Sequence, residues 1–185
     1  MIWNTHLALE GQHAFLGASQ YHWLNYSDDK LRDRYSNWKA TERGTRLHAL
    51  AAEMIFLKIQ AKGTKQTFNM YVNDAIGFDM TPEQVLYFSE NCFGTADAIS
   101  FKKDFLRIHD LKTGVTPAKM EQLEIYAALF CLEYDVKPSE IGMELRIYQN
   151  DEKMIFTPTS DDIFPIMEKI IHADKIITEL KGELL

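Results

Sequence analysis

Two alternating apolar runs joined by three polar residues restrict what this chain can fold into more than any other stretch of it. From Phe93 to Phe101, residues Phe93, Thr95, Asp97, Ile99 and Phe101 fall on one face of a strand. After Lys102-Lys103-Asp104, residues Leu106, Ile108, Asp110 and Lys112 fall on one face of the next. So short a connection makes the two runs a hairpin, which presents Asp97 and Asp110 from the same side with Lys112 beside Asp110. Thr113-Gly114 ends the second strand, and Pro117 opens a helix reaching about Tyr134. In that helix Met120, Leu123, Ala127 and Phe130 pack inward, while Gln122 and Tyr126, one turn apart, face the carboxylates.

The flanking elements follow from the same patterns. Trp3, Leu7, Leu9, Phe15, Leu16, Tyr21, Trp23 and Leu24 show no clean period; such a segment either covers an edge of the core or stacks bases. Ser27 caps a helix from Asp28 to about Asn37. A longer helix from about Ala40 to Ala61 carries Gly44, Leu47, His48, Ala51, Ile55 and Ile59 on or near one stripe, with Gly63 as its stop. A short helix over Phe68 to Ile76 is closed by Gly77. Thr81-Pro82-Glu83-Gln84 has the form of a capping box, yet Val85-Leu86-Tyr87-Phe88 follows at once, so one turn leading into a strand is expected. Beyond Pro138, Met143 to Tyr148 and Met154 to Phe156 read as strands about an Asn150-Asp151 turn, and Ser160 caps a last helix. The expected architecture is α/β, a central mixed sheet flanked by helices. It forms one domain over residues 1–185, with an N-terminal helical region reaching about residue 63.

With 46% apolar and 25% charged residues, the 185-residue chain can bury one substantial core. Its longest apolar run, Ile125 to Leu132, is far too short to cross a bilayer, and residues 1–11 lack the form of a signal peptide. A soluble cytoplasmic protein with no membrane partner is therefore expected. Cys92 and Cys131 are the only cysteines, so no four-thiolate iron–sulfur or zinc site can be built within one chain. The net charge of −7 argues against a protein that coats nucleic acid through general electrostatics. Lys30, Arg32, Arg34, Lys39, Arg43 and Arg46 nevertheless stand against only Asp33 and Glu42 in their stretch, enough for one basic rim.

Asp97 and Asp110 together make a hard oxygen site suited to Mg2+ or Mn2+, to which the Leu111 carbonyl can add a ligand. Such an ion polarises a phosphate and lowers the pKa of bound water, while the Lys112 ammonium orients hydroxide and offsets developing charge. The acid-x-lysine spacing alone is weak, since it also begins at Asp28, Asp135, Asp151 and Glu179. From the hairpin alone, a solvated sheet face with an ordinary Asp110–Lys112 pair fits as well.

Four motifs in order change that balance. GTRLH at Gly44 to His48, GTAD at Gly94 to Asp97, DLKTG at Asp110 to Gly114 and QLEIY at Gln122 to Tyr126 resemble the RecB-type exonuclease branch of the PD-(D/E)xK nuclease superfamily. The resemblance covers roughly residues 40–134 and implies a restriction-endonuclease-like core. It further implies that His48, Asp97, Asp110 and the Leu111 carbonyl hold Mg2+ or Mn2+, that Lys112 is catalytic, and that Gln122 and Tyr126 organise the site or touch DNA. Glu90, Glu53 and His109 are weaker candidates. The four-cysteine cluster of several family members is not expected here, nor is a helicase portion, since no GxxxxGK[ST] loop is present. The function so implied is a stand-alone phage or prokaryotic DNA nuclease, an exonuclease for end processing or recombination. The alternatives are a structure-specific or single-strand endonuclease and a non-cleaving DNA-end-binding recombination adaptor. DNA is the expected partner, and the resemblance also allows a recombination or single-strand-binding protein and a homo-oligomer.

Overall fold

A computed structural model of the chain describes residues 14–183, so Trp3, Leu7 and Leu9 lie outside the described residues. Backbone contacts divide the chain between Thr45 and Arg46, a boundary that falls inside one helix. Before it, a 3-10 segment covers Ala18–Asn25, Trp23 Nε1 donates to the Gly17 carbonyl at 3.1 Å, and Phe15 sets its ring edge-on to Tyr35. Helix α1 runs unbroken over Asp28–Phe56, where two helices are expected from the sequence. No proline or glycine separates Ser27 from Arg43, and Thr41 Oγ1 donates to the Asn37 carbonyl at 3.1 Å, so nothing at the expected joint stops propagation.

Helix ends follow a rule that glycine does not mark. Lys58 takes a left-handed φ of 56°, its N–H reaches the Ile55 carbonyl, and the Ile59 N–H reaches the Met54 carbonyl at 2.8 Å. This double closure ends α1 ahead of Ala61 and leaves Ile59 exposed. Helix α2, Thr67–Gly77, ends the same way at Asp79, with Met80 N bonded to the Ala75 carbonyl at 3.0 Å. Gly77 is thus its last helical residue rather than its stop. Helix α3, Glu121–Glu133, closes at Asp135, with Val136 N on the Cys131 carbonyl. Helix α4, Ser160–Glu183, begins on Thr159, whose N–H is taken back by Asp162 at 2.8 Å in a reciprocal cap.

Five strands, β1 Thr81–Ser89, β2 Cys92–Lys102, β3 Phe105–Leu111, β4 Gly142–Gln149 and β5 Glu152–Phe156, lie in the order of the chain. Every neighbouring pair is antiparallel except β3 with β4, which run parallel because α3 carries the chain back between them. Lys103-Asp104 and Asn150-Asp151, all four at positive φ, turn the β2–β3 and β4–β5 hairpins in two residues each. Alternation along β3 and β4 sends Leu106, Ile108, Leu145 and Ile147 to one core with α3 and α4, and Leu111 and Tyr148 to a second with α2. Ala51 and Ile55 of α1 are buried in the second core. The chain from Arg46 on is therefore α/β, a mixed five-stranded sheet flanked by helices, compatible with a restriction-endonuclease-like core. No helix among the described residues is long and apolar enough to cross a membrane.

Alternation fails at one rung. On β2, Phe93 is exposed while Ile99 is buried, and Ala96 and Ile99 share the first core although three residues apart. Across from them Met80 lies in the second core and Leu86 in the first, six residues apart, with Glu83 between them at a φ of 50°. Both strands of the hairpin thus exchange faces where Glu83 and Asp97 meet, so Phe93, Thr95, Asp97, Ile99 and Phe101 do not share one face as the sequence alternation predicts.

Candidate metal centre

The exchange of faces opens the sheet. Pairing of β2 with β3 ends at Ala98–His109, and beyond it the Leu111 N–H, which the ladder leaves open, donates to Asp97 Oδ2 at 2.8 Å. On the other side, the pairs Pro82–Ala98 and Gln84–Ala96 set Glu83 opposite Asp97. Glu83, Asp97 and Asp110 therefore come from three neighbouring strands. His48 arrives from α1, held there by Ala51 and Ile55, which lie on its own stripe one and two turns further on. Its Nδ1 stands 3.4 Å from Asp97 Oδ2. One ligand atom from each of His48, Glu83 and Asp97 lies within 4.8 Å of the others.

Asp110 is buried beside this cluster. Its Oδ1 accepts from Lys112 Nζ at 3.0 Å, and its buried Oδ2 has no hydrogen-bond partner among the described residues. Burial, and next the charge of Asp97, push the Asp110 carboxyl up to about 6, although Lys112 pulls the other way. Burial and Asp97 also raise Glu83. His48 is raised chiefly by its hydrogen bond to Asp97, against its own desolvation. Three carboxylates and an imidazole thus crowd one another, and the orphaned Asp110 oxygen is an unmet acceptor at the edge of the group. This donor set fits a divalent cation of the Mg2+ or Mn2+ type, which favours carboxylate oxygen and tolerates imidazole.

A second chain of contacts leads away from Asp110. Lys112 Nζ donates to Gln122 Oε1 at 2.8 Å, and Gln122 Nε2 donates to the Tyr126 hydroxyl at 3.0 Å. The spacing of Gln122 and Tyr126 on α3 makes this relay one helical turn long. Gly94 of β2 lies under the Tyr126 ring, where a Cβ would stand 2.8 Å from Cε1. The Lys112 N–H bonds the Tyr148 carbonyl at 2.9 Å, which ties the lysine backbone to β4.

Of the residues singled out by sequence, the structure groups His48 with Asp97, and Asp110 with Lys112, Gln122 and Tyr126. The Leu111 side chain is buried in the second core, and its N–H is the group bonded to Asp97. His109 points to the opposite face, fully buried, with Nδ1 3.3 Å from the Tyr148 hydroxyl, and burial lowers its pKa to about 3. Glu53 and Glu90 are exposed, the latter at the far turn of the β1–β2 hairpin. Glu83 is the residue that sequence reasoning passes over. Its signal is its place two residues before Val85 and four before Tyr87 on one strand face, which the capping-box pattern around it hides. Pro82 is accommodated because β1 is an edge strand.

No protein-family model matches the chain, and no curated protein matches it.

Proposed function

We propose that this chain is a metal-dependent deoxyribonuclease, an exonuclease that hydrolyses DNA phosphodiester bonds during end processing or recombination in a prokaryotic cell or phage-infected host. The observation that carries the reading is the buried Asp110 carboxylate, one oxygen on Lys112 and the other without a partner among the described residues, beside the His48, Glu83 and Asp97 cluster. A solvated hairpin face would leave no such oxygen buried. His48, Glu83, Asp97 and Asp110 would hold the ion. Bound there, Mg2+ or Mn2+ supplies phosphate charge neutralisation and a water of lowered pKa.

The protein's own part is positional. Lys112, fixed between Asp110 and Gln122, sets its amine at the carboxylate edge, where it orients the attacking water and offsets charge developing on the phosphate. Gln122 fixes the lysine rotamer, and Tyr126 fixes Gln122. DNA as the polymer is supported by the exposed Arg32, Lys39 and Arg43 of α1, whose spacing of seven and four residues puts them on one helix face. Cleavage of labelled linear duplex, closed-circular duplex and single-stranded DNA in Mg2+ or Mn2+ tests the reading, with chelator and Asp110→Ala as controls. Loss of linear DNA alone is expected. Cutting of the circle would make it an endonuclease, and inactivity on every substrate would overturn it.

A further inference from the structure

The outward face of the β1–β2 hairpin continues the carboxylate row. Glu83, Val85 and Tyr87 are exposed positions of β1, alternating with more buried ones, and on β2 Phe93 and Thr95 are exposed before Asp97. The rungs are Tyr87–Phe93, then Val85–Thr95, and the next step reaches Glu83 and Asp97. Two rungs amount to about 14 Å of strand between the aromatic pair and the candidate metal centre. At that pair the rings lie 6.4 Å apart and 29° from parallel, with Tyr87 46% and Phe93 61% exposed. The Tyr87 N–H is taken by Glu133 at 2.8 Å, so at this point the face offers its rings rather than an open strand edge.

We propose that Tyr87 and Phe93 form a stacking platform for unpaired nucleobases of the DNA strand whose phosphate reaches His48, Glu83 and Asp97. The inference deepens the nuclease reading and rests on it for the choice of DNA. The electrostatics call for such a contact. A chain of net charge −7, with carboxylates at the candidate centre, offers phosphates little attraction there, least of all without a cation, so binding in a chelator must rest on contacts other than charge. Base–aromatic stacking is independent of charge and largely of sequence. In a duplex the bases already stack on one another, so the strand that fits these rings is a single one.

Fluorescence anisotropy of labelled oligodeoxythymidine with the intact chain in EDTA reads binding without cleavage. Tyr87→Leu with Phe93→Leu keeps apolar bulk, removes both π faces, and is expected to weaken binding by about tenfold or more. Exchanging the rings, Tyr87→Phe with Phe93→Tyr, is expected to keep affinity within about twofold. Wild type should bind an abasic strand of the same length as weakly as the leucine variant binds oligodeoxythymidine. This arm needs no variant and reads stacking whether or not the variants fold. Equal affinity of wild type and leucine variant overturns the platform, as does wild-type binding that ignores loss of the bases. If wild type still cuts DNA in Mg2+ or Mn2+, either result leaves the nuclease reading standing; absence of both binding and cutting overturns the two together. A dimer in sedimentation that the leucine variant dissolves would assign the face to a second copy and overturn the platform.

Discussion

Asp110 combines a position proposed above as metal-binding with a destabilising one. Its carboxyl has a folded pKa of about 6 against an ordinary 3.8, so the fold favours the protonated form, and stability present at low pH is lost as pH rises through 6. Asp110→Asn is therefore expected to stabilise the metal-free protein above pH 7 by up to about 3 kcal/mol. The gain should vanish near pH 4, as urea melts at both pH values would read, while cleavage is lost. Lys112→Ala is expected to leave Mn2+ affinity within a few fold and to lower kcat by about 10²–10³. Calorimetry beside turnover separates the two. Gly94→Ala would drive the Tyr126 ring from its place and loosen the hold on Gln122 and Lys112. A loss of kcat with Mn2+ affinity retained is the expected signature.

Among the elements, the non-glycine helix ends bear on stability directly. Lys58, Asp79 and Asp135 each hold a left-handed φ that glycine adopts more readily. Asp135 is exposed, so Asp135→Gly is expected to raise stability by about 0.5–1 kcal/mol, a rise in thermal midpoint that circular dichroism would detect. The same three residues explain which parts of the fold sequence can and cannot convey. The strands, the α3 crossover and the C-terminal helix are legible because their periodicity is carried by side-chain chemistry. The ends of α1 and α2 are not, since a lysine and an aspartate stand where a glycine would be the signal. Two further features are hidden for related reasons. The joining of two expected helices into α1 rests on the absence of a breaker, and the place of Glu83 on the strand is hidden by the capping-box pattern of Thr81-Pro82-Glu83-Gln84, which reads as a helical turn. Asp97, Asp110 and Lys112 are visible because ionisable groups stand out against an apolar alternation. His48, by contrast, gains its meaning only where α1 meets the sheet.

At the scale of the molecule, a ligand that binds only the folded chain must raise its stability by mass action. Mn2+ at about a hundredfold over its Kd is expected to add about 2.7 kcal/mol, which for a chain of this size raises Tm by about 5–10 °C. Asp97→Ala should abolish that rise, and a rise unchanged in that variant would remove Asp97 from the ligands. The response should also grow between pH 5.5 and pH 8, because protons on His48 and Asp110, both held above their ordinary pKa, compete with the ion.

The origin of the four proposed ligands in the chain predicts an order of events during folding. Glu83, Asp97 and Asp110 belong to one meander closed by short turns, whereas His48 belongs to a helix that reaches the sheet only across a loop of tens of residues. Hairpins close within about 1–10 μs, and distant segments join later because their loop entropy is larger. The carboxylates are thus expected to be in place before the imidazole arrives, and strong affinity for a cation is expected to be among the last properties the folding chain acquires. Mn2+ should then slow unfolding and leave the refolding rate unchanged. On the proposed reading the ion would be a latch on a finished fold, not a template for making it.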